Sequence, residues 1–436
     1  MAHIVVIGAG LAGLPTAYEL RYLLPSQHQI TLISNTSKFT FIPSLPWVAL
    51  GLTPLAKIQL ELEELVIQQG IRWLPEAVVN LNPRTQTVYT DSQSLVYDYV
   101  VIATGAELAL DTVSGLGPEQ GFTQSVCNPH HALMANSAWQ NFLQNPGPLV
   151  VGAVPGASCF GPAYEFALLA DYTLRQQGLR DQVSLTFVTP EPYAGHLGIG
   201  GMANSSQLVT ELMAARDVAV LENTAIDSVT PKKIILANGD AVPFQYAMLL
   251  PSFRGPGFVR ETVGLGDAKG FLPVLPTYQH PVFPSVFSAG VVTQLAPPEV
   301  TPIAIGVPKT GQMVEAMGMA VAHNIALALG AISDQPVTPT LEAICFADFG
   351  DTGLLFLADP VLPDPETGQR RRAITLGGRW VGWLKTAFER YFLAKMRWGA
   401  AVPWFERLGL RAAGLSLLEA VPSTEPDPVR EDVLSH

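Results

Sequence analysis

Cysteine is scarce in this chain: 436 residues hold three, at Cys127, Cys159 and Cys345. Three is not a disulfide framework, and no pair has the CxxC spacing of a metal site. Charge is sparse as well, at 14% of residues, with 25 basic against 37 acidic side chains and a formal net charge of −12. That balance argues against nucleic acid as a partner. No apolar run has the length and unbroken character of a transmembrane helix. No basic segment, apolar core and cleavage site precede the first strand. The expectation is a protein made in the cytoplasm that does not span a membrane, though it can lie on one. What is abundant is apolar surface, 48% of residues, punctuated by 38 glycines and 36 prolines. Such a composition suits a folded α/β protein with many turns and argues against disorder; the length suggests two or three domains.

His3–Ile7 reads as a short buried strand, followed by Gly8, Gly10 and Gly13 and a helix to about Leu24. Strand, GxGxxG and helix in succession form a dinucleotide fingerprint. The first glycine turns, the second admits a pyrophosphate and the third packs helix on strand. The second strand, Gln29–Ile33, should end in an acid for a ribose hydroxyl, yet Ser34 and Asn35 stand there. That departure weighs against NAD and leaves FAD open. Residues 36–54 are turn-rich and aromatic, and Pro43 and Pro46 predict a lack of regular structure. Val96–Gly105 reads as a parallel core strand running into the small-residue turn Ala103-Thr104-Gly105.

Residues 149–167, LVVGAVPGASCFGPAYEFA, repeat the strand–turn–helix with damaged glycine spacing: Gly152, then Val154, then Ala157. A valine there obstructs a pyrophosphate. Cys159 sits near the helix start, where dipole and free N–H groups favour a thiolate. The reading is a nicotinamide site given over to sulfur chemistry; the alternative is a small buried hydrophobe. Glu165, on the same helix, is either a proton carrier or an exposed helix charge. SVCNPHHA (125–132) gathers Cys127, His130 and His131, either a thiol with its base or a capped turn. Strand-like pieces over 183–188 and 215–255 should complete a second nucleotide-type domain, with the glycine-rich stretch 190–202 and His196 between them as a lid or a compact loop.

Val286–Gly290 is a strand whose following turn holds Val291 where many FAD enzymes place an Asp. Lys309 precedes a helix over Gly311–Leu329; it is a flavin-side group or a surface lysine. Residues 341–358 read as strand, turn and strand carrying Cys345, Phe346 and Phe349. Residues 370–411 concentrate Arg and Lys against only Glu389 and Glu406, interleaved with Trp380, Trp383, Phe388, Tyr391, Phe392, Trp398, Trp404 and Phe405. Aromatics on one helix face and basic groups on another predict a helix in the membrane interface. The alternatives are packing on its own domain or a dimer contact. After Pro422 the chain is polar and expected to be disordered.

Together these segments resemble the bacterial-type sulfide:quinone oxidoreductases, a membrane-associated branch of two-dinucleotide-domain flavoproteins, from Val5 to about Gly399. The marks are GAGLAG (8–13), FTFIPSLPWV (39–48), SVCNPHHA (125–132), GASCFGPAYEFA (156–167), EPYAGHLGIGG (191–201), GVPKTG (306–311), CFADFGDTG (345–353) and AFERYF (387–392). The cysteine-bearing segments are the diagnostic ones. The resemblance implies an α/β fold, flavoprotein disulfide reductase-like, of two Rossmann-like dinucleotide-binding domains plus a C-terminal amphipathic-helix membrane-binding region. Its expected divisions are 1–110 and 281–335 for the FAD domain, 111–280 for the second, 336–420 for the C-terminal domain and 421–436 for a disordered tail. FAD would be held by Gly8, Gly10, Gly13, Ser34, Asn35, Ala103, Thr104, Gly105, Gly290, Lys309 and Thr310.

The resemblance further implies Cys159 and Cys345 as a redox pair beside the flavin, and a nearby Cys127 that in some relatives is bonded to it. Glu165, His131 and His196 would manage protons, whereas His130 has no clear counterpart. Quinone is expected near Lys309, Phe346, Phe388, Tyr391 and Phe392. Hydrogen sulfide would attack an oxidised Cys159–Cys345 bridge, and the electrons would pass through FAD to a membrane quinone with polysulfide or sulfur as product. The expected setting is a lipid surface, bound peripherally (monotopic), with a homo-oligomer as the assembly. A type II NADH:quinone dehydrogenase, a flavocytochrome-type sulfide dehydrogenase and a membrane-surface flavin/thiol redox sensor are the competing readings.

Overall fold

The computed structural model describes residues 1–421 apart from 201, 365, 366, 413 and 415, so the stretch 422–436, read above as a disordered tail, lies outside the described residues. Residue 421 is ordered by a backbone hydrogen bond from Val421 to Pro336.

His3–Ile7 is the middle strand of a five-stranded parallel sheet, ordered Val286–Ser288, Tyr99–Ile102, His3–Ile7, Gln29–Ile33, Arg72–Leu74. A parallel strand covered on both faces must be apolar throughout. Ile4, Val5 and Val6 are fully buried, each contributing about 1.5–3 kcal/mol relative to exposure. Gly13–Leu23 leaves the glycine turn as a helix and packs against the long helix Gly311–Ala328. The glycines are required by distance: a Cβ on Gly13 would stand 1.8 Å from the Gly8 carbonyl oxygen.

The second sheet is also parallel, ordered Val218–Leu221, Leu185–Val188, Leu149–Ala153, Tyr246–Leu250. Its central strand, Leu149–Ala153, feeds the helix Gly161–Gln176, as the repeat of the strand–turn–helix pattern predicts. A third, antiparallel sheet of Ala343–Asp348, Gly353–Asp359 and Arg372–Gly377 lies against that helix.

Two expectations need correction. Residues 36–54 are regular: a strand Lys38–Thr40, a 3-10 turn Ile42–Ser44 and a short helix Leu45–Ala49. Pro43 and Pro46 each sit in the first turn of their helical piece, where the missing N–H would have no partner anyway. Residues 370–411 form the strand Arg372–Gly377 and the helices Trp380–Arg397 and Trp404–Ala412. The longer helix does not sort aromatics to one face and cations to the other, whereas in the shorter one Trp404, Phe405 and Leu408 are exposed and Arg407 turns to Glu19. In the longer helix Val381, Lys385, Glu389, Phe392 and Met396 face inward, while Trp380, Trp383 and Leu384 face out. Both inward lysines find buried carboxylates: Lys385 meets Glu165, and Lys395 lies 2.6 Å from Glu315. Phe392 completes the packing, its ring 5.9 Å from Phe39 and 5.4 Å from Phe41. Among the described residues no helix is long and apolar enough to cross a membrane.

Gly13→Ala is expected to cost about 1–3 kcal/mol through overpacking. Thermal unfolding measures this, and an unchanged melting temperature would contradict the close approach of Gly13 to Gly8.

Candidate active site

The three cysteines, far apart in sequence, converge. The strand Ala343–Asp348 runs along Gly161–Gln176, so that a Cβ on Gly161 would lie 3.6 Å from the Cys345 Sγ. Cys159 is two residues before Gly161, and its thiol lies within electrostatic reach of both Cys345 and Cys127. All three are free thiols. The expected stabilisation of a Cys159 thiolate by the helix start is outweighed. The helix begins only at Gly161, whose N–H favours the charged form, but burial dominates and pushes Cys159 up to about 12. Burial likewise pushes Cys127 and Cys345 to about 11. On Cys345 alone a lysine, Lys385, works against burial.

Glu165 is one helical turn beyond Gly161 and is not an exposed charge: it is only 5% accessible. Its carboxylate pairs with Lys385 and accepts the Asp348 backbone N–H. Burial raises Glu165 to about 7, against the pull of Lys385. Lys385 is itself 3% accessible, with its Nζ 4.7 Å from the Trp47 ring. One ion pair thus joins the Cys159 helix, the Cys345 strand and the C-terminal helix.

Sequence reading missed Lys385 because a local excess of cations suggested a wet or lipid-facing surface. Its spacing held the signal: 381, 385, 389, 392 and 396 recur at helical period, so Lys385 shares the face of core residues. Lys395 was missed for the same reason.

The proposed proton-handling histidines each have an acidic partner. His131 is buried on the helix Pro129–Gln144, with Nε2 2.6 Å from Glu119, while Asn128 caps that helix by accepting the His131 backbone N–H at 2.8 Å. His130 is exposed. His196, buried, stands 2.5 Å from Glu299. The stretch around it is a compact loop. Tyr164 OH donates to Glu191 at 2.7 Å and accepts Gly195 N–H at 2.9 Å, while Leu197 N–H donates to Glu191 at 2.6 Å.

Glu191 lies just past the strand Leu185–Val188, where a nicotinamide dinucleotide would need a free acid for its ribose. Here it is fully buried, raised to about 7 by that burial, and consumed by internal hydrogen bonds. Val154, also fully buried, fills the turn below.

The first nucleotide fold, by contrast, fits a dinucleotide. A Cβ added at Gly10 would meet nothing within 4 Å, whereas one at Gly8 would strike the Ala103 oxygen at 2.5 Å. The turn is therefore closed beneath and open above, at the N-terminus of Gly13–Leu23, which favours a diphosphate. Gly105 also faces open space, and Gly290 takes a φ of +86°. Ser34 is buried with its Oγ 3.3 Å from Thr36; Asn35 is exposed. Thr104 is exposed, and Thr310 caps the helix Gly311–Ala328 by accepting Met313 N–H at 3.5 Å. Lys309 is half-buried, lowered to about 8 by burial against the pull of Asp267, and its Nζ lies 5.3 Å from the Phe271 ring.

The aromatics named for quinone divide. Phe346 and Phe388 are half-buried, with ring centroids 5.9 Å apart. Phe392 is core, and Tyr391 donates its hydroxyl to Glu406 at 2.8 Å.

Residues 2–312 match the family described as pyridine nucleotide-disulphide oxidoreductase. The sulfide-quinone reductase of Aquifex aeolicus is 43% identical over 93% of each chain, and the mitochondrial sulfide:quinone oxidoreductase of Dictyostelium discoideum is 27% identical over 80% of this chain and 78% of its own. The crystal structure of the Aquifex aeolicus sulfide:quinone oxidoreductase superposes with a TM-score of 0.92 at 41% identity, covering 98% of both chains. Thiol convergence, an open first nucleotide turn and a filled second one accord with that likeness, and the chain belongs to the pyridine nucleotide-disulphide oxidoreductases, in their sulfide:quinone oxidoreductase branch.

Proposed function

We propose that this chain oxidises sulfide and reduces quinone, with Cys159 and Cys345 as the exchanging sulfurs. The observation that carries it is the meeting of these half-buried thiols in one site adjoined by the Glu165–Lys385 ion pair. Full-length likeness to sulfide-quinone reductase supports the substrate pair.

Hydrosulfide attacks an oxidised Cys159–Cys345 bond; one sulfur keeps the added atom as a persulfide and the other leaves as a thiolate. Cys345 is assigned as the leaving sulfur because Lys385 favours its charged form. Cys159 then carries the growing sulfur chain, released as polysulfide or sulfur. FAD, when bound at the Gly8–Gly13 turn, supplies the two-electron step between thiol and quinone. Glu165, raised to about 7, holds a proton on the acid side of neutrality and accepts one on the alkaline side. His131 and His196 are assigned to proton exchange with Glu119 and Glu299. Lys309, Phe346 and Phe388 line the proposed quinone approach. Cys127, in reach of Cys159, is the position for a covalent flavin link. Glu191 and Val154 argue against NADH as donor.

The same reading places the chain peripherally on a lipid surface. Trp383 and Trp404, each 77% accessible, and Leu408 project from the two C-terminal helices. Indole rings favour the headgroup level of a bilayer.

Anaerobic addition of sulfide should bleach the flavin band, and a short-chain quinone should restore it; bleaching by NADH instead would sink the reading. In Cys345→Ser, sulfide-dependent bleaching should fall at least 100-fold, while quinone reoxidation of dithionite-reduced flavin persists. With the rate expressed per hydrosulfide ion rather than per total sulfide, Glu165→Gln should remove a limb that rises with pH near 7 in sulfide-dependent flavin reduction. A retained limb would assign that proton elsewhere. Trp383→Ala with Trp404→Ala should weaken co-sedimentation with phospholipid vesicles and leave soluble-quinone turnover intact.

A further inference from the structure

The strand that carries Cys345 is fastened to the Cys159 helix at a second point, remote from the thiols. Cys345 lies opposite Gly161, and Asp348 donates its backbone N–H to Glu165. Farther along the helix, the turn after the strand brings Gly350 onto Tyr172: a Cβ on Gly350 would stand 2.3 Å from that ring, and its φ is +83°. The turn ends in Asp351, which pairs with Arg216. Arg216 is buried and its Nε lies 3.4 Å from Asp171. Asp171 is fully buried in the middle of the Cys159 helix, where Arg175 and Arg180 also hold it at 2.9 and 2.7 Å.

Arg216 is thus a bridge. Its guanidinium Nε faces Asp171 of the helix, and its Nη2 pairs with Asp351 of the turn. The helix rises about 17 Å from Gly161 to Tyr172, so the two fastenings sit at opposite ends of one docked strand. A strand held only at its reactive end can slide or tilt, and a shift of about 1 Å at a reacting centre is costly.

We infer that the Asp171–Arg216–Asp351 bridge is a positioning device that sets the approach of Cys345 to Cys159 and thereby the stability of the bond between them. It rests on the reading of those two cysteines as the exchanging pair. In forming the bond the two thiols lose two electrons and two protons to an external disulfide, which becomes two thiols. Holding the sulfurs together raises their effective concentration and favours the bonded form.

The test is a glutathione redox titration of the flavin-loaded protein, read by alkylation and mass spectrometry at Cys159 and Cys345. Asp351→Asn keeps the side-chain shape and removes the charge. It should lower the equilibrium constant for bond formation about tenfold, a rise in potential of about 30 mV for this two-electron couple. Arg216→Lys, which cannot span both carboxylates with a planar fork, should shift it in the same direction, and Asp351→Glu should recover most of the loss. Reoxidation of dithionite-reduced flavin by quinone should stay at the wild-type rate in all three. If the pair titrates but neither Asp351→Asn nor Arg216→Lys moves its potential, the bridge is a structural fastening only and the inference is overturned. If wild-type Cys159 and Cys345 never bond to each other, the underlying reading of the pair falls, and the inference with it.

Discussion

Lys385 and Glu165 are each almost out of reach of water, and isolating either charge there would cost several kcal/mol. Their pairing therefore forces three pieces of chain into one place. Glu165 comes from the helix that follows Cys159, Lys385 from the C-terminal helix, and the Asp348 N–H from the strand of Cys345. The cysteines are brought together by the same contacts that neutralise the pair. The site could not be assembled from the first 312 residues alone, although the shared family pattern stops there.

Burial raises the three thiols and Glu165 alike, with different consequences at neutral pH. It holds the thiols in their protonated form and keeps Glu165 poised near neutrality. The lysine counters it at Cys345 and not at Cys159, which separates two otherwise similar sulfurs. Environment rather than residue type assigns their roles.

Much of this was legible in the chain. GxGxxG after a five-residue strand fixes the first nucleotide fold, and Val154 in place of a glycine foretells the filled second one. Cys159 announces itself by its turn. What sequence could not show is pairing across distance: nothing local links Glu165 to Lys385, His131 to Glu119 or Arg216 to Asp351. The prolines at 43 and 46 misled because their effect depends on helical position, and the first turn tolerates them. The basic C-terminal stretch misled because charge was counted without asking which face each lysine occupies. Lys385 and Lys395 turn inward to carboxylates contributed by distant helices.

Glu191 has a wider meaning for how such an enzyme sits in a cell's electron economy. Its carboxyl is spent on Tyr164, Thr189 and Leu197, and those bonds tie down the loop that follows it. Restoring a glycine at Val154 would not free that carboxyl, because its hydrogen bonds come from other residues. With that acid spent and Val154 filling the turn, the second fold keeps its nucleotide-type shape, but the route by which nicotinamide electrons enter related folds lacks its usual ribose anchor in this one.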